Sequence, residues 1–180
     1  MGKRITLVTM PDDETVNKIQ TLIQDIPEKM CKVPLGMDDT SRYQMDNLPY
    51  HFTIFATDKK NESYMLQFMH QLECATIKIE VEDVCVKRTK ENGFMLYLSI
   101  KKNAQMYELQ NRFYSKIPTK NYNPQHFVFH MTLHIDKEDS KVLKMQEITK
   151  AKWKPFTIEC KTLGLFNYPG EMIKQVTFSK

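Results

Sequence analysis

Along the chain the spacing of apolar positions changes repeatedly between strand-like and helix-like, and each change marks an element boundary. Residues 4–10 (Arg-Ile-Thr-Leu-Val-Thr-Met) form an apolar run closed by Pro11, which reads as a buried strand. Asp12 can cap a helix, and Val16, Ile19, Leu22, Ile23 and Ile26 then recur at helical spacing. Residues 30–49 hold Pro34, Gly36 and Pro49 without a period and predict a long loop. Residues 50–56 predict a second strand. Asp58 and the stripe Met65, Phe68, Met69, Leu72 predict a second helix. In residues 76–86, Ile77, Ile79 and Val81 alternate with Lys78, Glu80 and Glu82, as in a strand with one wet face.

Asn92-Gly93 is a turn signal, after which the series restarts. Residues 94–100 predict a strand, Met106, Leu109, Phe113 and Ile117 a helix, and residues 127–135 a strand. Asp136 opens a helix over roughly residues 138–150, and strands follow at 156–166 and 172–178, separated by Pro169-Gly170. The order β-α-β-α-β followed by β-α-β-α-β-β points to an α+β fold. Its expected form is bilobal, with two pseudo-symmetric lobes of mostly antiparallel sheet facing a central cleft. At 180 residues the chain is read as a single bilobal domain over residues 1–180, with lobes at about 1–90 and 91–180.

One short pattern occurs at the same place in both halves. Tyr50-His51-Phe52-Thr53-Ile54 and Phe129-His130-Met131-Thr132-Leu133 both read apolar-His-apolar-Thr-apolar. In a strand, residues i and i+2 share a face, so His51 joins Thr53 and His130 joins Thr132, away from the core-facing partners. Two imidazoles and two hydroxyls meeting across one cleft suit phosphoryl chemistry on a ribose. A neutral imidazole accepts a proton from water or a hydroxyl, and a protonated one gives a proton to the leaving oxygen. The threonine hydroxyls donate to non-bridging phosphate oxygens as charge builds there. The expected catalytic residues are therefore His51 and His130, with Thr53 and Thr132 binding substrate. His134 would share the face of His130 if alternation continued, and Tyr168 offers a ring for a base or a hydroxyl for phosphate. His126, His130 and His134 are spaced by four, but the alternating Phe127, Phe129, Met131, Leu133 and Ile135 favour a strand over a helical metal face, so no metal is expected.

Composition narrows the picture only a little. Hydrophobic residues make up 41% and charged residues 27%, an ordinary globular balance, and the net charge of +4 tolerates an anionic partner without requiring one. The cysteines Cys31, Cys74, Cys85 and Cys160 form no C-x-x-C pair and read as the reduced thiols of a cytoplasmic protein. No apolar run approaches the roughly 20 residues needed to cross a membrane, and a monomer is expected.

On His51-Phe52-Thr53, His130-Met131-Thr132 and the hairpin from Leu163-Gly-Leu-Phe through Tyr168-Pro-Gly, the chain resembles the 2H phosphoesterases. These include 2'-5' RNA ligase-like proteins and 2',3'-cyclic phosphodiesterases. The resemblance implies a bilobal fold with the two motifs facing each other. It also implies metal-independent cleavage or reversible formation of phosphoesters at ribose 2' and 3' oxygens, without a cofactor. The implied partners are RNA ends or nucleotides carrying a 2',3'-cyclic or 2'-5' phosphoester. A non-catalytic RNA- or nucleotide-binding module of the same fold is the alternative.

Overall fold

The computed structural model describes residues 4–26, 50–72, 75–89, 93–117, 127–167 and 171–178. The expected loop 30–49 and Tyr168, His126, Cys31 and Cys74 lie outside them. The elements are β1 (Arg4–Pro11), α1 (Asp13–Ile23), β2 (Phe52–Asp58), α2 (Glu62–His70) and β3 (Ile77–Arg88), then β4 (Phe94–Ile100), α3 (Ala104–Tyr114), β5 (His130–Asp136), α4 (Asp139–Ala151), β6 (Thr157–Asn167) and β7 (Glu171–Thr177). This is the α+β order expected from the periodicity. Among the described residues, no helix is long and apolar enough to cross a membrane.

Local chemistry sets several boundaries. The Asp12 carboxylate accepts from the Thr15 N–H at 3.0 Å and opens α1. Asn103 does the same for α3 through the Met106 N–H at 3.1 Å. Asp58 differs from expectation: it precedes a 3-10 turn, Lys59–Asn61, and makes no side-chain cap, so Asn61 stands at the start of α2. Two expected strand starts also move. β2 begins at Phe52 and β5 at His130, so each motif histidine sits at the head of its strand rather than inside it.

The strands form an antiparallel sheet in the order β2-β1-β6-β3-β4-β5, with β7 also paired to β6. That order reads the same from either end when the halves are exchanged, β1 for β4, β2 for β5 and β3 for β6. The last main strand of each half therefore pairs with the first strand of the other half, and hydrogen bonding interleaves the halves. β3 and β6 meet at the centre, where Ile77 stands opposite Cys160 and Ile79 opposite Ile158.

Four bulges obey the same symmetry. The register skips Ile54 in β2 and Leu133 in β5, and Glu82 in β3 and Lys161 in β6. Each extra residue flips the alternation of everything beyond it. In β3 the buried positions are Ile77, Ile79 and Val81 before the bulge and Val84 after it. In β6 the positions in the main core are Ile158 and Cys160 before it and Leu163 and Leu165 after it. The bulges thus keep one face of the sheet apolar although the apolar positions change phase along these strands.

That face builds one core containing Phe52, Ile54, Met131 and Leu133 together with helix residues Ile19, Met65, Met106, Phe113, Val142 and Met145. The Cys160 thiol is buried in it, and loss of water pushes its pKa up to about 12. On α3, the fully buried Gln110 donates through Nε2 to the carbonyl oxygen of Ile54 at 2.9 Å, covering a backbone acceptor at the bulge in β2.

Candidate functional site

The alternation at each motif places its residues as the sequence predicts. Phe52 and Met131 are fully buried in the core, whereas His51, Thr53, His130 and Thr132 are partly exposed. Although β2 and β5 end the hydrogen-bonded path on opposite sides, they approach one another with Cα atoms within 8 Å. Curvature of the sheet therefore brings the two motif strands together, and both put their apolar partners into the same core.

Around His130 the face is polar. The ring nitrogen Nδ1 lies 2.9 Å from the Val128 carbonyl oxygen. A carbonyl only accepts, so Nδ1 carries the hydrogen and Nε2 of the neutral ring keeps its lone pair. Burial lowers the pKa of His130 below its ordinary value, the Val128 contact opposes this, and the charge of Lys87 adds to the lowering. Tyr97 on β4 and the imidazole pack edge to face, with ring centres 5.5 Å apart. Tyr97 stands opposite both Thr132 and Cys85, and Ser99 stands opposite both His130 and Asp83. The Thr132 hydroxyl donates to the Met95 sulfur at 3.3 Å. Burial, then the neighbouring Cys85, raises the pKa of Tyr97, keeping its hydroxyl protonated.

Around His51 the same register positions are apolar apart from Thr162. Thr53 stands opposite Val8, Val8 opposite Gly164, and Met10 opposite Thr162. Phe166 stacks against the His51 ring, inclined by 27° with centres 6.4 Å apart. Val8, Met10 and Phe166 form a small buried cluster separate from the main core. Gly164 belongs to this packing: a Cβ there would lie 2.8 Å from the Phe166 ring.

His134 does not share the face of His130 and Thr132. The bulge at Leu133 carries it to the position opposite Leu96, which is fully buried. Its counterpart across the pseudo-symmetry is Phe55, a core residue opposite Leu7. His134 instead faces the Asp136 carboxylate at 3.8 Å, and burial lowers its pKa against the pull of that charge. Alternation alone could not show this, because nothing in Thr132-Leu133-His134 marks a bulge. Tyr97 and Lys87 carry no signal of this in the sequence: each lies on a strand more than 30 residues from His130, and only strand pairing brings it onto the same face. Among the described residues, no three His, Cys, Asp or Glu side chains converge as a metal site would require.

Comparison with solved structures gives several full-length matches. Escherichia coli LigT complexed with NADP+ aligns at a TM-score of 0.58 with 13% identity, covering 99% of this chain and 99% of that one. The same protein complexed with 3'-AMP aligns at 0.57 with 10% identity over all of both chains. Kluyveromyces marxianus Usb1 aligns at 0.54 with 9% identity, covering 99% of this chain and 98% of that one. At these identities the likeness is one of fold. No curated protein sequence matches the chain. The sequence does match the 2'-5' RNA ligase superfamily over residues 38–171, a span that holds both His-x-Thr motifs and most of the strands described above. With sequence and fold in agreement, the chain belongs to the 2'-5' RNA ligase superfamily.

Proposed function

We propose that the protein is a metal-independent phosphoesterase acting at ribose 2' and 3' oxygens of RNA or nucleotides, as a 2',3'-cyclic phosphodiesterase or a 2'-5' RNA ligase-like enzyme. One observation carries this reading. Two His-x-Thr motifs occupy register-equivalent places on two converging strands, both partly exposed on the side away from the core. Superfamily membership supports a phosphoester substrate.

His130 is suited to be the base, because Nδ1–H is held by Val128 and burial favours the neutral ring. Its Nε2 takes a proton from the attacking water. The water oxygen bonds to phosphorus, and the bond from phosphorus to one ribose oxygen breaks. His51, protonated, supplies the proton to that oxygen. Thr53 and Thr132 donate to the non-bridging oxygens. The net reaction adds one water and leaves a phosphomonoester and a free ribose hydroxyl.

The test is incubation with 2',3'-cyclic mononucleotides and with RNA ending in a cyclic phosphate, in EDTA, with the 2' and 3' products resolved. Turnover abolished by both His51→Ala and His130→Ala is expected. Turnover that survives either substitution would exclude the two-histidine mechanism. Binding of nucleotide without product would replace it with a binding role, and 2'-5' linked oligonucleotides are the substrate to try next.

A further inference from the structure

The pseudo-symmetry is close in backbone and broken in side chains, most sharply at one pair of positions. On β6, Phe166 stands opposite Thr6 and stacks on His51. The equivalent place on β3, opposite Met95, holds Lys87. Without the bulge at Glu82, strict alternation from Ile77 would have turned Lys87 into the core. With it, Lys87 is exposed on the face of Tyr97, Thr132 and His130. Met95, its cross-strand partner, receives the Thr132 hydroxyl, so Lys87 is one residue removed from a motif side chain.

Other lysines on β3 and on the elements around it are neutralised. Lys78 pairs with Glu159 at 3.4 Å, Lys101 with Glu80 at 2.7 Å and Lys150 with Asp83 at 2.9 Å. Among the described residues, Lys87 has no carboxylate within ion-pair distance. Among the described residues, the other titratable groups on its face are Asp83, already held by Lys150, and Cys85, Tyr97 and His130. Among the described residues, this leaves an ammonium with no carboxylate partner on the face of a neutral imidazole, which is the setting for an anionic ligand group. At the equivalent place beside His51, an apolar ring fills the space and offers no charge.

We propose that Lys87 binds a phosphate oxygen of the substrate at the His130 half of the site, and that the contrast between Lys87 and Phe166 fixes which way round the substrate lies between two otherwise equivalent histidines. The proposal rests on the functional reading above for the nature of the ligand. Lys87 acts on binding and is not needed for proton transfer.

The experiment is titration of inorganic phosphate and of a 3'-mononucleotide into wild-type protein, Lys87→Gln and Lys87→Arg, with the His130 imidazole followed by NMR, alongside kcat and KM. Lys87→Gln is expected to weaken phosphate binding about tenfold, the scale of one charged hydrogen bond. It should raise KM more than it lowers kcat, and it should raise the His130 pKa by removing a neighbouring positive charge. Lys87→Arg should restore binding. Unchanged phosphate affinity and an unchanged His130 titration in Lys87→Gln would overturn the proposal even if turnover is normal. Wild-type protein that binds phosphate at His130 through Lys87 but turns over no phosphoester would keep the proposal and remove the hydrolytic reading. Failure of the wild-type protein to bind phosphate at His130 would overturn both.

Discussion

His130 donates its Nδ1 hydrogen to the carbonyl oxygen of Val128 only two residues earlier, at 2.9 Å. The bond forms because β5 begins at His130 itself, so the Val128 carbonyl belongs to no ladder and turns towards the ring. A strand starting at Phe127, as alternation predicts, would have placed that carbonyl in the sheet. The late start thus fixes both the tautomer and the direction of Nε2.

Burial lowers the pKa of both His130 and His134 below the ordinary 6.5. The unfolded chain then binds more protons than the folded one as pH falls. Stability from this source is fully present above about pH 6.5 and is lost as pH falls through the lowered folded-state values. Urea midpoints should therefore drop between pH 7 and pH 5, and His134→Gln should flatten the drop. A wild-type midpoint that stays constant or rises on acidification would contradict the burial argument.

The hydroxyls of Thr53 and Thr132 are expected to matter for rate more than for folding. Valine keeps the shape and removes the donor. For each of Thr53→Val and Thr132→Val, kcat should fall about a hundredfold, the usual loss for one donor to a developing anion, with the thermal midpoint nearly unchanged. Variants with wild-type kcat on a substrate that needs both histidines would remove the threonines from the phosphate site.

The two sides of β5 should respond very differently to truncation. Met131 is fully buried, and Met131→Ala is expected to cost about 2–5 kcal/mol in unfolding free energy. His130→Ala should cost much less stability while abolishing turnover. Denaturant unfolding compares the two directly, and equal costs would mean that His130 is a core residue and not a site residue.

Gly164→Ala tests the link between the apolar cluster and His51. The added Cβ would lie 2.8 Å from the Phe166 ring and 3.2 Å from the Met10 terminal carbon, so the ring must shift. Phe166 is the ring stacked on His51, so the expected result is a reduced kcat/KM with a modest loss of stability, about 1–3 kcal/mol. A crystal structure of the variant with the Phe166 ring unmoved would show that the cluster has more room than this packing implies.

Much of the protein is legible in its sequence because the dominant signals are local. The order of strands and helices follows from apolar periods, and capping by Asp12 from the chemistry of one side chain. The burial of Phe52 and Met131 beneath the partly exposed His51 and His130 follows from period-two geometry over three residues. Tertiary structure decided what lies beyond a bulge and what lies across a strand. Leu133 and Glu82 are ordinary residues in ordinary runs, and only the register demanded by the neighbouring strand makes each of them the extra one. That single step turns His134 towards the core and Lys87 out of it. The exchange of β3 and β6 between halves is equally invisible locally, because pairing energy depends on which strand arrives alongside. Only that arrival puts Lys87 beside His130 and Phe166 beside His51, two different surroundings for motifs that the sequence presents as equal.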